Sequence, residues 1–127
     1  MHSHYHSKSS VKEWGGVPQD YHPIHEFIDQ SKESVADVRH RMILHHTLGT
    51  RIAEKVFGVT ITNSDGREVP VRLIAEKHII EDLGFLPTPN DYVKCVSLKA
   101  VPWLGGAKQL MRKGKRIDVA IERKVNE

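Results

Sequence analysis

Asp37–Phe57 reads DVRHRMILHHTLGTRIAEKVF, and the fold expected of the chain turns on it. At about 100° of turn per residue, Val38, Met42, Leu48, Ile52, Ala53 and Val56 fall within one broad apolar stripe. The period predicts a single long central helix. His45 lands near the middle of the stripe and His46 at its edge. Gly49 follows His45 by one turn, and without a side chain there another group can come close. An imidazole aimed into an apolar face needs a partner, because an unpaired buried polar group costs roughly 1–3 kcal/mol. The stretch therefore asks what His45 touches.

Upstream, residues 1–21 are polar and read as an N-terminal arm, with Trp14 folding back as an aromatic anchor beside the Gly15-Gly16 turn. His22-Pro23 opens a short helix, proline suiting its first turn. Ile24, Phe27 and Ile28 share one side of it, and His22, His25 and Asp29 form an adjacent strip. Ser34 is the expected N-cap of the central helix, with Asp37 in its first turn and Gly58 at its end.

Downstream, Val59 and Ile61 alternate with Thr60 and Thr62, Asn63-Ser64-Asp65-Gly66 is a turn, and Val69 and Val71 resume the alternation. That predicts a β-hairpin with Pro70 at its edge. LIAEKHIIEDLG then predicts a second core helix closed by Gly84. Its period directs Ile79, Ile80 and Leu83 inward together with Glu76 and Arg72, and places His78, Glu81 and Asp82 on the polar side. A shorter helical segment begins at Pro89, and Pro102-Trp103-Leu104 forms an irregular apolar clamp. The expected fold class is α+β, mostly helical, with a central long helix and a β-hairpin. Residues 1–106 make one globular domain with its N-terminal arm, and 107–127 a basic C-terminal extension.

The totals set bounds on function. With 127 residues, 39% hydrophobic and 28% charged, the chain has the composition of an ordinary globular domain. No apolar run reaches membrane-spanning length, and no signal-peptide core is visible. The single cysteine, Cys95, excludes an internal disulfide framework and fits a reducing cytoplasm; among Val93, Val96 and Leu98 it reads as a small core residue. The net charge of +3 does not by itself imply nucleic acid. The basic excess gathers in the tail, where over residues 107–124 Lys108, Arg112, Lys113, Lys115, Arg116, Arg123 and Lys124 face only Asp118 and Glu122. Lys113, Lys115 and Arg116 are its candidate phosphate contacts.

Taken together, WGG…DY…IHEFIDQSK, RHR…HH, FGVTITNSDGREVPVR, AEKHIIEDLGFLPT and the later PW resemble a small uncharacterised family associated with bacteriophages and prophage-bearing bacteria. The resemblance covers roughly residues 4–105. It implies a phage or prophage accessory protein and no particular reaction.

Histidines and carboxylates supply the candidate chemistry. His45 and Glu76 are the polar side chains that periodicity sends inward from two consecutive helices, with His46 and His78 nearby. Imidazole and carboxylate suit Zn, Mn, Fe or Ni, and facing helices build such sites. Three ligands with an open position would suit hydrolysis through a metal-bound water. The RHR…HH run bears a loose likeness to histidine-metal phosphohydrolases, although their adjacent His-Asp pair is missing. Three readings stay open for this cluster: a structural His45–Glu76 hydrogen bond extended by Arg72, a metal site, and metal-independent acid–base catalysis. A second constellation, His22, His25 and Asp29, could gain a ligand from His4 or His6 folding back. His40 is expected at the surface. Walker, GxGxxG, GxSxG, CxxC and HExxH motifs are absent.

The function expected is therefore a small intracellular phage-type accessory protein whose His/carboxylate cluster holds a divalent metal, with His45, His46, Glu76, His78 and His25 as ligands. The competing reading is a non-catalytic interaction module. In that version the cluster is structural, and the basic tail or the tryptophan segments contact a host protein or nucleic acid. Neither reading involves a membrane.

Overall fold

A computed structural model describes residues 2–105. Its helices are α1 (Ser3–Trp14), α2 (His22–Asp29), α3 (Arg41–Leu44), α4 (Thr47–Phe57), α5 (Val71–Leu83) and α6 (Pro89–Val93); strands β1 (Thr60–Thr62) and β2 (Glu68–Pro70) lie between α4 and α5. The class is α+β and mostly helical, as the sequence patterns imply. Two compact units divide the chain, one ending at Tyr92 and the other beginning at Val93.

In the first unit α2 is the central element, packed against α1, α4 and α5. Its buried side presents Ile24 and Ile28, which join Tyr21, Ala53, Val69, Val71, Ile74, Ala75 and Ile79 in one apolar core. α5 begins after Pro70, whose missing N–H is no loss at a helix start, and ends at Gly84. That glycine adopts φ 85° and returns its N–H to the Ile80 carbonyl, a left-handed cap that suits glycine best. The hairpin pairs Ile61 with Val69. Its turn is held by Asn63, whose side-chain oxygen accepts from the Asp65 and Arg67 N–H groups while its amide donates to the Trp14 carbonyl and the Tyr21 hydroxyl. One side chain thus closes the turn and ties it to α1.

Several expectations are corrected here. The predicted central helix is interrupted. A 3-10 turn over Val38–His40 leads into α3, and His45 and His46 then leave helical backbone, His46 being extended at φ −164° and ψ 176°. His46 makes this break affordable in hydrogen bonds. Its Nδ1 accepts from the Gly49 N–H at 3.1 Å, and its Nε2 donates to the Ile43 carbonyl at 2.9 Å. One ring therefore satisfies orphan groups of both flanking helices. The apolar stripe is also mostly outward: Val38, Met42, Leu48 and Val56 are exposed, and Ala53 is buried. Ser34 caps nothing in α4, because His46 occupies that place.

The polar N-terminal stretch is a further correction. It forms α1, and its buried residues are Ser3, His6, Ser7 and Ser10. Their 3-6-7-10 spacing is helical, but the inward face is polar and small, so a search for apolar periodicity passes over it.

In the second unit Leu98–Ala100 and Pro102–Leu104 are 3-10 turns. Cys95 and Trp103 are exposed, which corrects the core cysteine and the apolar clamp. The tail elements, Lys113, Lys115 and Arg116 among them, lie outside the described residues. Among the described residues, no helix is long and apolar enough to cross a membrane.

Candidate metal centre

Three helices each turn an i,i+4 pair toward one another: His6 and Ser10 from α1, His25 and Asp29 from α2, His78 and Asp82 from α5. Side chains four apart lie on one helical face, so each pair enters the same space. His45 and His40 arrive from the segment around α3. All of these histidines are buried.

Asp29 and Asp82 are the focus. His78 Nε2 lies 3.2 Å from Asp29 Oδ1 and 3.3 Å from Asp82 Oδ2. His45 Nε2 lies 3.4 Å from Asp29 Oδ1 and 3.0 Å from Asp82 Oδ2. A tetrahedral ion with ligands at about 2.0–2.2 Å separates neighbouring ligand atoms by roughly 3.3–3.6 Å. The four measured edges fall at or just inside that spacing. Asp29, His45, His78 and Asp82 thus have the placement of a ligand set, and each offers an atom within 4.8 Å of the others.

Hydrogen-bond partners assign the ring nitrogens. His40 Nδ1 is 2.9 Å from the Asp37 carbonyl. A carbonyl only accepts, so Nδ1 carries a hydrogen. Nε2 is buried without a hydrogen-bond partner, 3.7 Å from Asp29 Oδ1. His6 Nδ1 donates to Glu81 Oε1 at 2.7 Å, and its Nε2 faces Asp82 Oδ1 at 3.2 Å. Ser9 also donates to Glu81. Histidines that bind metal characteristically give their other N–H to a carbonyl or carboxylate; His40 and His6 do so, whereas His45 Nδ1 is buried without a hydrogen-bond partner.

Electrostatics favour a cation among these groups. Burial presses both aspartates upward, but hydrogen bonds win. His78 and the neighbouring Lys32 hold Asp29 at about 2, and His45, His6 and His78 hold Asp82 well below the usual carboxylate range. Burial, assisted by His78 and His6, pushes His25 down to about 2. Burial also lowers His45 despite the Asp82 bond. At His78 the bonds to Asp29 and Asp82 outweigh burial, and the ring is raised above its ordinary value. Two ionised carboxylates therefore stand beside His25 and His45, whose protonation burial disfavours, and His78, whose protonation they favour.

A second grouping, His6, His25 and His78, also gathers ligand atoms within 4.8 Å. The His6 and His78 rings stack with centroids 3.7 Å apart and planes at 22°. Imidazole lone pairs lie in the ring plane, so stacked rings aim side by side and do not converge on one ion. Of the two groupings, the one at the aspartates is therefore the one that could hold an ion.

A family model described as Domain of unknown function (DUF6915) matches residues 1–104. The chain belongs to that family. No match was found among curated proteins, and none among solved structures. The part of the chain that matches DUF6915 contains every residue of the centre.

Of the ligands expected from sequence, the structure brings His45, His78 and His25 together. His46 stands apart, both its nitrogens spent on helix ends. Glu76 pairs with Arg72 at 3.4 Å on a half-exposed surface, so the expected His45–Glu76 contact does not form; Asp82 takes that place. His78 and Asp82, expected on the polar outer side of α5, face inward, and His40 is buried. Asp82 and His40 are the members of the centre that the sequence reading did not offer as ligands; Asp29 and His6 stood in its second constellation, apart from the His45 cluster. The His-x3-Asp spacing that His25/Asp29 shares with His78/Asp82 is the signal that would have found Asp82.

Proposed function

We propose that this DUF6915 chain is a divalent-metal protein, its ion held by Asp29, His45, His78 and Asp82. Four N···O separations of 3.0–3.4 Å between two imidazole nitrogens and two carboxylate oxygens, all on buried or nearly buried side chains, carry the reading. A nitrogen–oxygen set of this kind suits Zn, Mn, Fe or Ni. The ion would tie α2, α5 and the α3–α4 break together. In its biological setting we read the chain as a phage-type accessory protein of the host-cell cytoplasm, on the strength of the phrases quoted above.

The test is elemental analysis of untagged protein purified without chelator, followed by dialysis against EDTA and reloading. One equivalent of a transition metal should be present or be taken up, and EDTA should lower the melting temperature of the loaded protein. Uptake below a tenth of an equivalent across Zn, Mn, Fe and Ni would leave the cluster a hydrogen-bonded core.

One observation favours chemistry at that ion. Asp29 also lines a surface cleft of about 550 Å³, with Ser3, Phe27, Lys32 and Phe57. A cation there that gained a cleft water as a fifth ligand would polarise it toward hydrolysis of a small ester or phosphoester. Chelator-sensitive turnover of a generic ester is the expected result; full metal occupancy without turnover would make the centre structural.

A further inference from the structure

Behind His78 lies a chain of contacts that touches no carboxylate. Ser10 Oγ is 2.8 Å from His25 Nε2, and His25 Nδ1 is 2.9 Å from His78 Nδ1. Ser10 Oγ is also 3.1 Å from the His6 carbonyl oxygen. All three side chains are buried. Two ring nitrogens facing each other at 2.9 Å must share one hydrogen, since two would collide and none would leave lone pairs opposed.

That constraint leaves two arrangements for the neutral chain. In the first, Ser10 donates to His25 Nε2, His25 Nδ1 donates to His78 Nδ1, and His78 Nε2 carries a hydrogen toward Asp29 and Asp82. In the second, Ser10 donates to the His6 carbonyl, His25 Nε2 donates to Ser10, and His78 Nδ1 donates to His25. His78 Nε2 is then bare, and a bare nitrogen opposite two carboxylates is repelled unless a cation lies between them. Each arrangement pairs every donor and carries three hydrogens, so passing between them needs no net gain or loss of protons.

We infer that Ser10 and His25 form an orienting relay for His78, and that an ion entering at Asp29 and Asp82 reverses the tautomers of both rings together. This rests on the metal reading above. Ser10 is the rotor: its hydroxyl alone can donate in one arrangement and accept in the other. Ser10 and His25 are positioning residues, because neither reaches the ion. When His78 is doubly protonated the relay already runs in the second direction and the ion displaces the Nε2 proton. The comparison is therefore made where the metal-free spectrum shows His78 with a single N–H.

The test uses the whole chain with 15N-labelled histidine, with long-range proton–nitrogen spectra recorded before and after one equivalent of Zn2+. His25 should change from Nδ1–H to Nε2–H although it does not contact the ion, while His45 and His78 show ligation at Nε2. Ser10→Ala strands the His25 Nε2–H in the metal-bound arrangement only. It should lower Zn2+ or Co2+ affinity by about 10- to 100-fold, as outer-sphere changes at metal histidines do. Ser10→Thr keeps the hydroxyl and should recover most of that loss. Ligation shifts at His45 and His78 with an unchanged His25 tautomer would overturn the relay and leave the metal reading standing, as would Ser10→Ala binding as tightly as wild type. No ligation shift at any histidine would overturn both.

Discussion

Asp82→Ala is expected to remove metal retention and to destabilise the metal-free domain as well. The Asp82 carboxylate is met by His6 at 3.2 Å, His45 at 3.0 Å, His78 at 3.3 Å and, more distantly, Arg41 at 4.0 Å. Its side chain is only 2% exposed, so water does not replace it. Removing one partner from a buried ionic network costs about 3–5 kcal/mol, which for a domain of this size lowers the melting temperature by more than about 10 °C. Metal then separates two effects. Wild type at a hundredfold excess of ion over Kd gains about 2.7 kcal/mol from binding the native state alone; the variant should gain nothing. Glu76→Ala is the control. Its half-exposed pair with Arg72 is worth at most about 1 kcal/mol, and metal should stabilise that variant as it does wild type. Melting curves of the three proteins with EDTA and with Zn2+ decide the matter. An Asp82→Ala protein that melts with wild type and responds to Zn2+ would remove this carboxylate from the centre.

How much of this was legible in the sequence depends on what each pattern senses. The hairpin and α5 were legible because alternation, a turn of polar residues and a terminal glycine report on backbone geometry directly. The single central helix was not, because no propensity rule expects a histidine to cap a helix with one nitrogen and close the previous one with the other. His46 does both. α1 escaped because its buried face is Ser3, His6, Ser7 and Ser10, and hydrophobic periodicity has nothing to count there. The same blindness misplaced His78 and Asp82. Summing apolar residues around α5 puts Ile80 inside and His78 outside, whereas Ile80 is exposed and His78 is fully buried. In this protein the interior beside α1 is polar, so the rule that sorts residues by hydrophobicity sorted the functional ones outward. His45 was read correctly as inward, and its question was the right one; only the answer differed, an aspartate on α5 in place of Glu76.

Gly49→Ala offers the sharpest test of how the break at His45-His46 serves the centre. Gly49 lies in the first turn of α4, where propensity alone says alanine should stabilise by about 1 kcal/mol. The structure reverses the sign. A Cβ at this position would sit 2.6 Å from the Leu44 carbonyl carbon and 2.9 Å from its Cα, and closer still to its oxygen. These are backbone atoms, so no rotamer change relieves the clash. Either α4 shifts or residues 44–46 move away, and the second course draws His45 from Asp82 and His46 from its cap. Overpacking of this kind costs roughly 3 kcal/mol, with metal affinity falling alongside stability because His45 is both the displaced residue and a proposed ligand. Gly66→Ala calibrates the result. Nothing lies within 4 Å of a Cβ there, and the only penalty is its φ of +82°, about 1–2 kcal/mol, with metal uptake unchanged. A Gly49→Ala protein as stable as wild type and equally able to take up Zn2+ would mean that the chain over Leu44–His46 does not pass against α4, and the placement of His45 opposite Asp82 would fall with it.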